Sequence, residues 1–159
     1  MENQSFKITD SLFASQSQRL LNAIIDSLFI YILILSAGTT IVLVAEAMNN
    51  FILSSWVEEM SIPEIVFYSL LILFLYYFLT EVYFSRTVAK LITKTIVVNY
   101  DGSKPTIKMI FIRTLSRFIP LEGLSYLGSV PRGWHDVLSR TYVVQKKEFL
   151  KNKASFQNA

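Results

Sequence analysis

Two uncharged runs divide this chain into zones. From Ser27 to Ala45, SLFIYILILSAGTTIVLVA carries no charge over nineteen residues, and at ~1.5 Å per residue it spans about 28 Å as a helix. The second run, IVFYSLLILFLYYFLT from Ile65 to Thr80, is uncharged for sixteen residues and covers about 24 Å. It reaches a full span only if Glu64 or Glu81 sits at an interface or is sheltered by protein. Two such runs in one chain of 159 residues predict two transmembrane helices, not buried helices of a soluble core.

The polar positions that interrupt these runs carry the next inference. In SQSQRLLNAIIDSLF, residues Ser15, Arg19, Asn22 and Asp26 recur every three or four positions and therefore share one helical face. Asp26 lies about 9 Å inward from Leu20, where a carboxylate costs roughly 2.5–3.5 kcal/mol on insertion scales. It is expected to face protein or water. Glu81 approaches the same side from the second run. One reading is an ion or proton site. The other, which is preferred, is a structural ion pair with Arg19 or a later arginine, since one chain offers both partners.

Beyond the second run the pattern changes. LITKTIVVNYDGSKPT predicts a β-strand from about Thr93 to Val98 and a turn at Asp101-Gly102. Thr106 is placed to cap a helix running to about Ile119, ended by Pro120. On that helix Ile107, Ile110, Phe111, Leu115 and Phe118 form an apolar face, with Arg113, Ser116 and Arg117 opposite and Lys108 as an exception. Two internal arginines disfavour a third crossing, so the helix is read as a basic amphipathic element lying among headgroups. LEGLSYLGSVP, residues 121–131, is expected to dip into the membrane without crossing.

VLSRTYVV (Val137 to Val144) repeats the pattern of LITKTIVV (Leu91 to Val98): an apolar pair, a hydroxyl, a base, threonine and three strand formers. The two strands are expected to pair, with Val143 and Val144 near Ile96 to Val98. His135 and Asp136 then lie just before the second strand. Read as extended chain they point opposite ways, which argues against a catalytic dyad. Asp136 is expected to accept hydrogen bonds from an arginine or from turn amides, as a clamp.

Charge distribution sets orientation. No lysine or arginine occurs from Leu20 through Ser85, and thirteen of the fifteen basic residues follow that window. The connection between the runs is acidic, with Glu46, Glu58, Glu59 and Glu64, whereas Arg86, Lys90 and Lys94 follow the second run. The positive-inside rule places both termini in the cytoplasm and Ala47 to Glu64 outside, with Trp56 and its apolar neighbours along the outer interface. Ala45-Glu46-Ala47 imitates a signal-peptide cleavage site, but the apolar run is too long and the preceding segment too neutral.

Composition removes several chemistries. Hydrophobic residues make up 52% and charged residues 17%, low in charge for a soluble domain. Without cysteine there are no disulfides or thiolate metal sites, and one histidine cannot build most metal centres. No Gly-rich phosphate loop occurs. The expectation is no enzyme, no cofactor, no metal and no nucleic acid, the basic face being explained by anionic lipid.

Arg19 opening the first membrane helix, Asp26 within it, and Asp136 in a late HD…T-x-VV motif resemble the RDD family of bacterial membrane proteins. SRTVAK is similar to that family's T-x-G-K step, with Ala89 where glycine is usual, and the VV…DG strand and turn follow. The resemblance runs from about Ala14 to Val144. It implies a mainly α multi-pass inner-membrane protein, with transport of ions or another ligand suggested. The expected architecture is two transmembrane helices, an amphipathic interfacial or re-entrant helix, and a small cytoplasmic β-strand pair. Residues 1–13 and 145–159 are read as tails around a domain at 14–144. The candidate polar cluster is Arg19, Asn22, Asp26, Glu81, Lys90, Arg113, Arg117, His135 and Asp136. Partners are the lipid bilayer and either further copies or a larger membrane complex. An accessory or anchoring subunit is the alternative to a transporter.

Overall fold

The computed structural model describes residues 8–119 and 132–157; the segment expected to dip into the membrane lies outside them. Among the described residues a 3₁₀ turn at Asp10–Leu12 is followed by seven α-helices and two strands: α1 (Gln16–Ala47), α2 (Phe51–Glu58), α3 (Ile62–Phe84), α4 (Val88–Ile92), β1 (Thr95–Asn99), α5 (Ile107–Ser116), α6 (Trp134–Leu138), β2 (Thr141–Gln145) and α7 (Lys146–Gln157). The protein is thus mostly helical, with two apolar helical runs and a two-stranded sheet, as the sequence predicts. It falls into two compact units, residues 27–76 and residues 1–26 with 77–159.

Both long helices extend beyond their uncharged runs, because local capping continues them into polar sequence. At the start of α1, Ser15 Oγ accepts from the Gln18 amide at 3.2 Å and Gln18 Oε1 accepts from the Ser15 amide at 3.0 Å. This reciprocal arrangement satisfies donors the helix cannot. Ahead of α3, Glu64 Oε2 accepts from the Ser61 amide at 2.8 Å. The helical runs Gln16–Ala47 and Ile62–Ile92 are each long and apolar enough to cross a membrane.

The unit of residues 27–76 holds the apolar stretches of α1 and α3 together with α2. Tyr68 donates to the Ile34 carbonyl at 3.0 Å, the Asn50 side chain caps α2 at the Leu53 amide, and Phe29 meets Tyr76 with ring centroids 5.5 Å apart. Large apolar side chains such as Leu28, Tyr31, Leu43 and Phe67 are exposed.

The other unit is built on the sheet. Strands β1 and β2 are antiparallel, with Ile96 opposite Val144, Val97 opposite Val143 and Val98 opposite Tyr142, the register expected from the repeated octapeptide. The likeness goes further than the strands. In both copies a short helix ends in a hydroxyl residue bonded to the carbonyl four residues back (Thr93 to Ala89 at 3.2 Å, Ser139 to His135 at 2.5 Å). A left-handed base follows (Lys94 φ 56°, Arg140 φ 53°), then a buried threonine, Thr95 or Thr141. The left-handed residue stops the helix and delays β1 to Thr95, two residues later than expected.

The sheet's edges are covered. The Val97 amide donates to the Ser85 carbonyl at 2.9 Å, and the Ala14 amide donates to the Val143 carbonyl at 2.9 Å. Leu12, Val98, Val144 and Phe149 form one core cluster, and Ala14, Val97 and Val143 another. The segments read as tails therefore take part in the core. Leu12 comes from a 3₁₀ turn at Asp10–Leu12, and Phe149 from α7, where one buried aromatic ring anchors an otherwise charged helix.

Two expectations are corrected. His135 and Asp136 are not on extended chain but on α6, which begins after Gly133; Asp136 Oδ2 accepts from the Gly133 amide at 3.3 Å. On helix α5 the polar side expected among headgroups packs on protein instead, together with the buried Ile110. Arg113, Thr114 and Ser116 are buried, while Ile107, Phe111 and Leu115 are 64%, 44% and 46% exposed. Its polar side faces inward because carboxylates await it there.

Candidate functional site

Helix α1 supplies the first three polar side chains, one per turn, and each finds a different partner. Arg19 donates through Nη1 to Asp136 Oδ2, through Nε to the Ala14 carbonyl at 3.3 Å, and through Nη2 to the Val143 carbonyl at 3.4 Å. It thereby ties α1 to α6 and β2. Asn22 accepts from Thr93 Oγ1 at 2.7 Å and donates to Thr95 Oγ1 at 3.3 Å. Asp26 accepts from Thr87 Oγ1 at 2.7 Å and from the Ala89 amide at 3.1 Å. Arg19, one of the arginine partners expected for Asp26, pairs with Asp136 instead. Asp26 instead fastens the N-terminus of α4, and the fully buried Ala89 shows that a methyl group is accommodated beside this contact.

The second half of the site is a charge chain. Glu81, on the last turn of α3 and fully buried, meets Lys90 Nζ at 2.6 Å, Arg113 Nε at 2.8 Å and Arg117 Nη2 at 3.2 Å. The Arg113 approach is an ion pair lying off the line of a hydrogen bond. Arg113 then bridges to the other carboxylate: its Nη1 donates to Asp136 Oδ1 and to Thr141 Oγ1, the latter at 2.7 Å. The guanidinium of Arg117 lies 4.0 Å from the centroid of the Tyr77 ring, a cation–π contact that helps hold it near Glu81.

Asp136 is the hub, with Arg19 and Arg113 on its two oxygens and His135 Nε2 3.4 Å away. Burial alone favours its neutral form, but the charges of Arg113, His135 and Arg19, with the Arg113 hydrogen bond, outweigh that. They hold its carboxyl well below the ordinary aspartate value.

All nine candidate residues thus converge. Seven of them, Arg19, Asn22, Asp26, Lys90, Arg113, Arg117 and His135, line a small cavity of about 20 Å³ together with Ala23 and Val143; Glu81 and Asp136 bind its walls. Among the described residues no group of histidine and carboxylate side chains is arranged to hold a metal ion. The sequence reading missed the hydroxyls, Thr87, Thr93, Thr95, Ser139 and Thr141, that join the charged groups to the backbone. The repeated hydroxyl-base-threonine pattern was the signal that could have found them.

The RDD family model matches residues 13–142, a span from the bridge of Phe13 with Val144 to the strand that closes the sheet. The chain belongs to the RDD family. No curated protein and no solved structure matches it. In this RDD protein the arginine and two aspartates of the family resemblance are Arg19, Asp26 and Asp136. They do not form one triad: Arg19 and Asp136 pair, whereas Asp26 caps a separate helix. With two helices long enough to cross a bilayer and exposed apolar side chains along them, this RDD protein is a membrane protein.

Proposed function

We propose that this RDD protein is a multi-pass protein of a bacterial inner membrane that binds and moves a small inorganic ion. The observation that carries this reading is the cavity of about 20 Å³ onto which Arg19, Asn22, Asp26, Lys90, Arg113, Arg117 and His135 converge beside Ala23 and Val143, in a protein with two apolar membrane helices. Polar and ionisable groups placed at membrane helices are costly, and they commonly mark ion pathways. Two helices cannot enclose a pathway, so transport requires further copies or another membrane protein.

Purified protein reconstituted in vesicles provides the test. Wild type should carry ion flux, and Asp26→Asn should abolish it while assembling normally, since an amide oxygen can still accept from the Ala89 amide. Glu58→Gln in the acidic connection should change flux little. Flux no higher than in protein-free vesicles would overturn transport. Saturation of Glu81 by three cations favours a second reading, a non-transporting anchoring subunit whose cluster only holds the fold. Mass measurement after gentle detergent extraction separates homo-oligomer from hetero-complex.

The orientation belongs to the same proposal, with both termini cytoplasmic. Reporter fusions after Ser55 should read external, and fusions after Gly102 and at the C-terminus internal. An external C-terminus would require a third crossing near residues 115–130 and would overturn this topology.

A further inference from the structure

We infer that a second cavity, across the sheet from the charge cluster, binds the phosphoryl group of a phosphate monoester. Side chains alternate between the two faces along a strand. On β2, Thr141 meets Arg113 and Val143 lines the small cavity, whereas Tyr142 and Val144 pack on the opposite face with Leu12 and Phe149. A cavity of about 320 Å³ is lined there by Tyr100, Arg132, Arg140 and Tyr142. The register explains the meeting: Asn99 lies opposite Thr141, so Tyr100 and Arg140 are the next residues along their chains at that end of the sheet. All four belong to one compact unit, and none lines the ion cavity.

The donors of this cavity are held in place and left open. The Arg132 guanidinium lies 4.5 Å from the centroid of the Tyr142 ring, and that ring stacks on Phe13 with centroids 5.1 Å apart. Nε of Arg132 is buried and has no hydrogen-bond partner among the described residues, although buried donors are nearly always paired. Arg140 sits in the left-handed turn that ends α6, with φ 53° and its amide donating to the Val137 carbonyl at 3.2 Å. No carboxylate lines the cavity, and among the described residues neither arginine forms an ion pair. Guanidinium forks recognise oxyanions by paired hydrogen bonds. A carboxylate offers two oxygens and one charge, which a single fork satisfies. A phosphate monoester offers three oxygens and about −1.5 to −2 charge near neutral pH, which suits both arginines, and the two phenol hydroxyls add donors beside them. The volume lies at the lower end of ligand pockets, about 300–1,000 Å³, so the phosphoryl group enters with a few attached atoms. The monoester belongs either to a soluble metabolite or to a lipid headgroup.

The test uses the purified full chain in maltoside detergent, titrated at constant ionic strength with glycerol phosphate. A parallel series adds dihexanoyl phosphatidate to the micelles, with dihexanoyl phosphatidylglycerol, a diester, as its control. A ligand bound only by the folded state should raise the thermal midpoint by about 3–6 °C per tenfold rise in free probe above Kd. A rise with glycerol phosphate assigns a soluble ester, and a rise with phosphatidate alone assigns a lipid headgroup. Arg140→Gln, at an exposed position, should keep the midpoint of the probe-free protein and lose the response. Arg132→Gln should lose it too, whereas Lys108→Gln, exposed on α5, should keep it. No rise with either monoester would overturn the site, as would an equal rise with phosphatidylglycerol or chloride. A folded Arg140→Gln protein with the full response would overturn it as well. Because the two cavities share no residue, this outcome is independent of vesicle ion flux.

Discussion

Asp136→Ala is expected to lower stability by ~3–5 kcal/mol, because removing one member of a buried charged pair leaves the other uncompensated. Here two guanidinium groups are stranded, those of Arg19 and Arg113, and the Gly133 amide loses its acceptor at the start of α6. At about 2–4 °C per kcal/mol for a chain of this size, the thermal midpoint in detergent should fall by ~6–20 °C. His135→Ala should cost much less, since Asp136 keeps both arginines. A midpoint within 2 °C of wild type for Asp136→Ala would remove the hub from this account. The same carboxylate gives a pH dependence with a defined sign. Its folded value lies well below the ordinary aspartate range, so its contribution is present above the unfolded aspartate value, near 3.9. That contribution is lost as pH falls from there towards the folded value. Wild type should therefore lose stability steeply below about pH 4, and Asp136→Asn should flatten that limb.

Glu81→Ala should be at least as damaging, since it leaves Lys90, Arg113 and Arg117 facing one another in a buried site. A loss of ~3–5 kcal/mol is expected for the alanine variant. The informative comparison is Glu81→Gln with and without Lys90→Met. The first removes the negative charge at nearly constant shape; the second then removes one of the stranded cations. If the network is electrostatic, the double variant should recover stability relative to Glu81→Gln alone, with a coupling of ~0.5–3 kcal/mol. Additive losses in the two variants would mean that Lys90 and Glu81 act by packing, not charge.

The parts of this protein that were legible in the sequence are those that depend on local period and run length. Ser27 to Ala45 and Ile65 to Thr80 announce helices by the absence of charge, and capping by Ser15, Gln18, Ser61 and Glu64 extends both in the structure. The strand register was readable because Leu91 to Val98 and Val137 to Val144 repeat the same order of apolar, hydroxyl and basic residues. The candidate cluster was readable for a physical reason too: Asp26 and Glu81 interrupt apolar helices at a cost only protein partners can offset.

What the sequence could not decide is which charge meets which. Arg19 and Asp26 are two helical turns apart on one face, yet Arg19 pairs with Asp136, 117 residues away, and Asp26 takes Thr87 and Ala89. That choice depends on where α6 and α4 are delivered by the sheet, and pattern along a single helix holds no record of it. Helix α5 makes the same point. Periodicity put Arg113 on its polar side, but that this side packs on protein, with Ile110, was settled by Glu81 and Asp136 at the positions where Arg113 arrives. By itself the sequence determined the two apolar helices, α5 and the strand pairing, because backbone hydrogen bonding and hydrophobic period act over neighbours. Only the tertiary structure decided the ion pairs and the enclosed Arg113. Coulomb attraction in a buried site acts between whichever charges the chain's long-range closure brings within a few ångströms.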